Sequence, residues 1–140
     1  MIRSKRLPPD IQGRLETLGE TLARCPAVVF GYVFGGVASG RFGPLSDVDV
    51  AVYLDDGADP VDAPLATIGA VTKHLGTDEL DLVVLNRAPT ALVGRILWTR
   101  RVIYDRDPFR RHRFESHALR EFFDFRIFEQ RLLARRGHRG

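Results

Sequence analysis

The sequence lacks any apolar run that approaches the ~18 residues needed to cross a bilayer. No hydrophobic signal region follows its basic first six residues, so we do not expect export. Its single cysteine, Cys25, cannot form an internal disulfide. These absences favour a cytoplasmic protein with no membrane association.

Several common functional motifs are also missing. No glycine-rich turn is followed by Gly-Lys-Ser or Gly-Lys-Thr, which excludes a P-loop, and the Gly-x-Gly-x-x-Gly dinucleotide fingerprint is absent. The four histidines have neither His-x-x-x-His spacing nor cysteine partners, which argues against zinc. Ser39 and Ser46 have no nearby histidine base, which argues against a serine nucleophile.

The 140 residues are enough for one domain with a substantial core. We expect a single domain over residues 1–140, with flexible tails at 1–7 and 137–140. Apolar patterns predict an α/β fold, a small mixed sheet with flanking helices. The predicted strands are 28–34, 47–54, 79–85 and 101–104, and the predicted helices are 8–25, 61–75, 86–98 and a long C-terminal one from Pro108 that bends near Asp124.

The most informative pattern is a glycine pair, Gly35-Gly36, followed by the aspartates Asp47 and Asp49. Alternation along a strand puts both carboxylates on one face, where they repel unless a cation lies between them. Oxygen-only ligands favour magnesium or manganese. Such a pair is most often a solvated strand end, but glycines after a buried strand also let backbone N–H groups approach an anion. A turn that binds phosphate and a carboxylate pair that binds a metal are together what nucleotidyl transfer requires.

A third carboxylate, Asp81, lies within the apolar run Leu80-Asp81-Leu82-Val83-Val84. Burying an acid in such a strand costs free energy unless the acid is paired or bound to a metal. We therefore predict that Asp81 is a metal ligand or a base. Trp98, on the helix after Pro89, is expected to pack in the core, with adenine stacking as the alternative.

Charge is divided unevenly along the chain. Nine acids and one base lie between Phe42 and Asn86, whereas fourteen arginines and six acids follow Asn86. The basic part suits a solvated helical face or an acidic partner protein, and we rank direct nucleic-acid binding below a protein partner.

The glycine pair, the Asp-x-Asp pair and the distal strand aspartate resemble the polymerase-beta-like nucleotidyltransferases. Within them, the chain is most similar to the minimal nucleotidyltransferases and their MntA-type adenylyltransferase antitoxins. The similarity extends over Val28 to Phe128, through Leu80-Asp81-Leu82-Val83-Val84-Leu85-Asn86-Arg87-Ala88-Pro89 and Phe122-Phe123-Asp124-Phe125. Gly36 stands where the family commonly has serine, and Val37 and Ser39 stand where it often has a base.

The resemblance implies transfer of AMP from ATP to a tyrosine hydroxyl of a cognate HEPN-domain ribonuclease toxin. It implies two Mg²⁺ ions held by Asp47, Asp49 and Asp81, which would be the catalytic residues. The nucleotide-binding residues would be Gly35, Gly36, Ser39, Arg41 and Ser46, with the backbone of the two glycines contacting the phosphates. The alternatives are a nucleotidyltransferase acting on a small molecule such as an aminoglycoside, and a non-catalytic module that neutralises a toxin by contact.

Overall fold

The structure is a computed structural model that describes residues 8–38 and 47–137. The N-terminal segment forms two short helices, α1 (Ile11–Glu16) and α2 (Leu18–Ala23). The prediction of one helix was wrong at Thr17, whose ψ of 1° interrupts the helical backbone. The Thr17 hydroxyl lies 2.9 Å from the His74 ring and 3.3 Å from the Arg14 carbonyl. The break between α1 and α2 thus coincides with a contact from Thr17 to His74 of a helix distant in sequence.

The centre of the fold is a four-stranded mixed sheet in the order β3-β2-β1-β4. β1 (Val28–Phe34) is antiparallel to both β2 (Val48–Leu54) and β4 (Arg101–Asp105), while β3 (Leu80–Val84) is parallel to β2. β1 lies inside the sheet and is covered on both faces, which explains its continuous apolar sequence. The predicted α/β class with a mixed sheet is confirmed.

Helices cover both faces of the sheet. On one face α1, α2 and α4 (Asp62–Leu75) enclose a core that includes Val33, Val48, Val50 and Val52. The other face carries Phe30, Tyr32 and Ala51 and is covered by α5 (Thr90–Thr99) and the first part of α6 (Pro108–Gly137). α4 ends at Gly76 in the left-handed conformation, which is typical of a glycine after a helix, and a 3-10 turn (Leu85–Arg87) links β3 to α5.

α6 is one continuous helix of 30 residues that passes through Asp124 without a break, and its helical backbone reaches Gly137. Its first part packs on α5 through Ala118, Phe114 and Leu119. Beyond Phe122 its large apolar side chains are exposed: Phe123, Phe125, Ile127, Phe128, Leu132 and Leu133. In the two described ranges, no helix is both long and apolar enough to cross a membrane.

Candidate active site

The two predicted aspartates lie at the sheet edge where β1 ends and β2 begins. Phe34 pairs with Asp49 across the two strands. Val48 and Val50 point into the core under α4, so alternation places Asp49 on the opposite face, beneath α5 and α6. Asp47 directly precedes β2, and the same alternation puts it on the face of Asp49. Both residues are half-buried.

Asp81 lies on the neighbouring strand. In the parallel β2–β3 ladder Asp49 pairs with Asp81, so these two side chains leave the same face of the sheet. The expectation that Asp81 is buried is wrong, because β3 is an edge strand and Asp81 is exposed. The desolvation argument for a metal ligand therefore fails, and only the shared face and the register connect Asp81 with Asp49.

Gly35 brings the backbone turn into contact with this carboxylate edge. Its φ of +74° is in the left-handed region, which L-residues with a side chain rarely adopt. A Cβ added at Gly35 would lie 2.8 Å from Asp49 Oδ2. Only glycine lets the first turn of α3 (Gly35–Ala38) start this close to the carboxylate.

Thr99, which sequence reasoning did not single out, holds this turn. The Gly35 N–H donates a hydrogen bond to Thr99 Oγ1 at 3.0 Å, and Thr99 is the last residue of α5. This contact joins residues 64 positions apart, so no local pattern could have shown it. From the sequence, backbone N–H groups of the glycine turn were expected to approach an anion. The Gly35 N–H instead donates to Thr99, so it differs from that expectation.

Three of the expected nucleotide-binding residues, Ser39, Arg41 and Ser46, lie outside the described residues. Gly36 lies within α3, is half-buried and, unlike Gly35, does not have a positive φ. A side chain at Gly36 is thus compatible with its backbone conformation.

The carboxylates suit a divalent cation by donor type and by their shared face, since magnesium and manganese prefer oxygen ligands. Within residues 8–38 and 47–137, however, no three acidic, histidine or cysteine side chains are arranged as a metal site. Asp47 and Asp49 would supply the ligands nearest the turn, and Asp81 is the remaining carboxylate of that face.

A groove of about 430 Å³ adjoins Gly35 between α5 and α6. It is lined by apolar side chains of both helices and of Phe34, together with Arg95, Trp98 and Thr99. The expected core packing of Trp98 is wrong, because this side chain is 89% exposed. A larger open cavity of about 1050 Å³ lies at the far end of β2, between Tyr53 and Arg120, away from the aspartates.

A buried polar network ties α6 to the sheet on the same face as the aspartates. The Tyr32 hydroxyl donates to Glu115 Oε2 at 2.6 Å, and Glu115 also pairs with Arg100 at 2.8 Å and Arg111 at 3.1 Å. Arg111 in turn pairs with Asp105 at 2.6 Å. The Arg111–Glu115 spacing of four residues was readable from the sequence, but the partnership with Tyr32 was not.

The network shifts the pKa values of Glu115 and Tyr32. Burial acts to raise the pKa of Glu115, but the hydrogen bond from Tyr32 and the charges of Arg100 and Arg111 prevail and lower it. Burial and the neighbouring Glu115 carboxylate raise the pKa of the Tyr32 phenol. Glu115 therefore remains ionised although only 6% of it is exposed, and it fixes α6 over the sheet.

A mixed sheet with a glycine turn after one strand and carboxylates at the start of the next two defines a nucleotidyltransferase fold. The sequence matches the family described as polymerase beta, nucleotidyltransferase, over residues 16–109, which is more than half of the chain. The chain belongs to this family and is a nucleotidyltransferase. No curated protein sequence matches it significantly.

Solved structures share the fold. A chain from a toxin–antitoxin complex with AMP-PNP is 20% identical, with a TM-score of 0.69 over 86% of this chain and 95% of that one. A chain from the complex of tri-AMPylated Shewanella oneidensis HEPN toxin with MNT antitoxin is 19% identical, with a TM-score of 0.66 over 89% and 96%. A minimal nucleotidyltransferase is 26% identical, with a TM-score of 0.55 over 65% and 90%.

Proposed function

We propose that this chain is a magnesium-dependent protein adenylyltransferase that transfers AMP from ATP to a tyrosine hydroxyl of a HEPN ribonuclease toxin and so acts as its antitoxin. The observation that carries the proposal is the contact between Gly35 and Asp49 at the sheet edge, with Asp81 in register beside it. The fold similarity to a chain of the AMPylated HEPN toxin–MNT antitoxin complex supports the same acceptor.

Asp47, Asp49 and Asp81 are the proposed catalytic and metal-binding residues. Bound magnesium would neutralise the carboxylates and polarise phosphate oxygens, which is the chemistry that nucleotidyl transfer needs. Gly35 and Gly36 would position the triphosphate at the turn, together with Ser39, Arg41 and Ser46 from the segment that follows. Gly35 also keeps the Asp49 carboxylate close to the backbone, where a side chain would displace it.

In the proposed reaction the tyrosine oxygen forms a bond to the α-phosphorus of ATP. The bond from that phosphorus to the oxygen bridging to the β-phosphate breaks, and pyrophosphate leaves. Asp81 would receive the phenolic proton. Its position on an exposed edge strand supports this role, because it is accessible to a side chain presented by another protein. Its exposure, unexpected from sequence, is therefore compatible with an acceptor that is itself a protein.

The added AMP would place negative charge and bulk on the toxin. Near a site that binds RNA, like-charge repulsion from the phosphate opposes substrate binding. Inhibition would then persist after the antitoxin dissociates.

The distal part of α6 supports a second candidate, inhibition by contact. Its exposed apolar side chains, from Phe123 to Leu133, form an unpacked surface that could dock a partner without catalysis. The two candidates differ in stoichiometry and in their need for ATP.

The test uses the HEPN ribonuclease toxin of the proposal, mixed with the chain in magnesium with and without ATP. The proposal expects ATP-dependent loss of ribonuclease activity at substoichiometric amounts, with the toxin gaining the mass of one or more AMP units. The Asp47→Asn, Asp49→Asn double variant should lose this effect. Asp62→Asn, an exposed acid in the first turn of α4 on the opposite face of the sheet, is the matched control and should retain it.

Stoichiometric inhibition that does not need ATP and leaves the toxin's mass unchanged would refute the proposal and favour contact. Unchanged transfer by the double variant would instead refute the assignment of the site.

A further inference from the structure

We infer that the groove between α5 and α6 binds the nucleobase of the substrate nucleotide, with Trp98 as the stacking surface. The inference rests on the proposed function, since it assumes that a nucleotide occupies the aspartate edge. It adds the position of the base and the residues that hold it.

The groove has the size and lining of a small-molecule site. Its volume of about 430 Å³ lies within the usual range for ligand pockets, roughly 300–1,000 Å³. Phe34, Leu92 and Ile96 supply apolar walls, and Phe122 of α6 closes the groove against Gly94 of α5. A Cβ at Gly94 would clash with the Phe122 ring, so glycine there allows the two helices to approach closely.

Trp98 and Arg95 give the groove the chemistry of a base-binding site. They are three residues apart on α5 and so lie on the same side of the helix. Trp98 is 89% exposed, which leaves most of its ring surface uncovered by other parts of the chain. Arg95 is also exposed, and in the described ranges its side chain makes only a 3.5 Å contact to the Ala91 carbonyl of its own helix. Aromatic rings and arginine guanidinium groups are the usual stacking partners of nucleobases.

The groove is continuous with the aspartate edge. Gly35 belongs to both, since it lines the groove and lies against the Asp49 carboxylate. The Thr99 hydroxyl, one residue after Trp98, accepts the Gly35 N–H at 3.0 Å and so ties the end of α5 to the turn. A nucleotide with its phosphates at Gly35 and Asp49 has only a ribose between the α-phosphate and the base, so the base can reach Trp98. A purine is favoured because its larger ring system covers more of the indole.

The test exploits Trp98 as the only tryptophan of the chain, so its fluorescence reports on this groove alone. The probes are ATP, adenosine and inorganic tripolyphosphate, each with magnesium. The inference expects ATP and adenosine to change the emission of Trp98 and tripolyphosphate to leave it unchanged. An equal response to tripolyphosphate and to ATP would overturn it.

Calorimetry on variants gives a second, independent readout. Removing one base–aromatic stack should weaken ATP binding by roughly 5- to 150-fold in Trp98→Ala, with most of the loss recovered in Trp98→Phe. Phe109→Ala is the matched control, because Phe109 is 74% exposed at the start of α6 and does not line the groove. Its ATP affinity should equal that of the unmodified protein, and all variants should keep the same melting temperature.

Failure of the inference is distinguishable from failure of the proposed function. If Trp98→Ala binds ATP normally and transfers AMP with an unchanged kcat but has a raised KM for the toxin, the groove holds the acceptor ring, and the inference falls while the function stands. If the unmodified protein neither binds ATP nor transfers AMP, both fall.

Discussion

Replacing Gly35 by alanine tests the contact on which the site depends. The added Cβ meets two obstacles: a φ of +74° and the Asp49 Oδ2 atom at 2.8 Å. The left-handed conformation costs an alanine about 1–2 kcal/mol. The carboxylate contact is tighter than an ordinary van der Waals separation, so either Asp49 or the turn must also move. We expect a total loss of roughly 1–3 kcal/mol in the free energy of unfolding.

The loss is measurable by urea unfolding. With an m-value of about 2 kcal/mol/M, a loss of about 2 kcal/mol lowers the midpoint by roughly 1 M. AMP transfer should fall more than stability does, because movement of Asp49 changes the site even in molecules that remain folded. Activity is therefore compared without urea, at a temperature where both proteins are fully folded.

Gly69→Ala is the matched control. Gly69 lies in α4 without a positive φ, and nothing lies within 4 Å of a Cβ added there. Alanine at such a helical position should stabilise the protein by roughly 0.5–1 kcal/mol. If Gly35→Ala unfolds at the same midpoint as the unmodified protein and transfers AMP normally, the role assigned to this glycine is wrong.

Three further predictions concern single side chains. Glu115→Gln should lower the free energy of unfolding by roughly 1–3 kcal/mol, because Arg100 and Arg111 lose their buried anion. Because its partners lower the folded pKa of Glu115 below the ordinary glutamate value, its contribution is present above the unfolded pKa and is lost as pH falls through the folded one. Melting temperatures measured against pH should therefore show a weaker acid-side decline in the variant. Asp81→Asn should bind ATP nearly as before in calorimetry but turn over far more slowly, and equal losses in binding and turnover would contradict a role in activating the acceptor. Gly36→Ser should keep or improve ATP affinity, because the backbone there accepts a side chain, whereas clear impairment would mean that the turn requires glycine.

Local sequence patterns predicted most of the elements. The apolar run 28–34 and the alternation after Asp47 gave β1 and β2 with the carboxylates on one face, and Gly76 ended α4 in the left-handed conformation. These features depend on neighbours a few residues apart, so their physical cause is contained in the sequence itself. The family followed from the same local spacing of glycines and aspartates.

The burial of side chains, which depends on whether another helix or strand covers their surface, was predicted less well. Asp81 was expected to be buried because of its apolar neighbours, and Trp98 because of its place on an apolar helix, yet both are exposed. Periodicity indicates which side chains share a face, but it does not say whether another element packs on that face. Strand order decided the first case, since β3 is at the edge, and the position of α6 left Trp98 at the rim of a groove.

The sequence by itself determined the local elements, the shared face of Asp47 and Asp49, and the glycine that lets the chain turn beside them. Only the tertiary structure decided that Thr99 holds Gly35, that Glu115 pairs with Tyr32, and that the groove opens beside the turn. The physical reason is the range of the interactions. Backbone conformation and side-chain alternation are set by adjacent residues, whereas hydrogen bonds across 64 or 83 positions exist only once the sheet and its helices have packed.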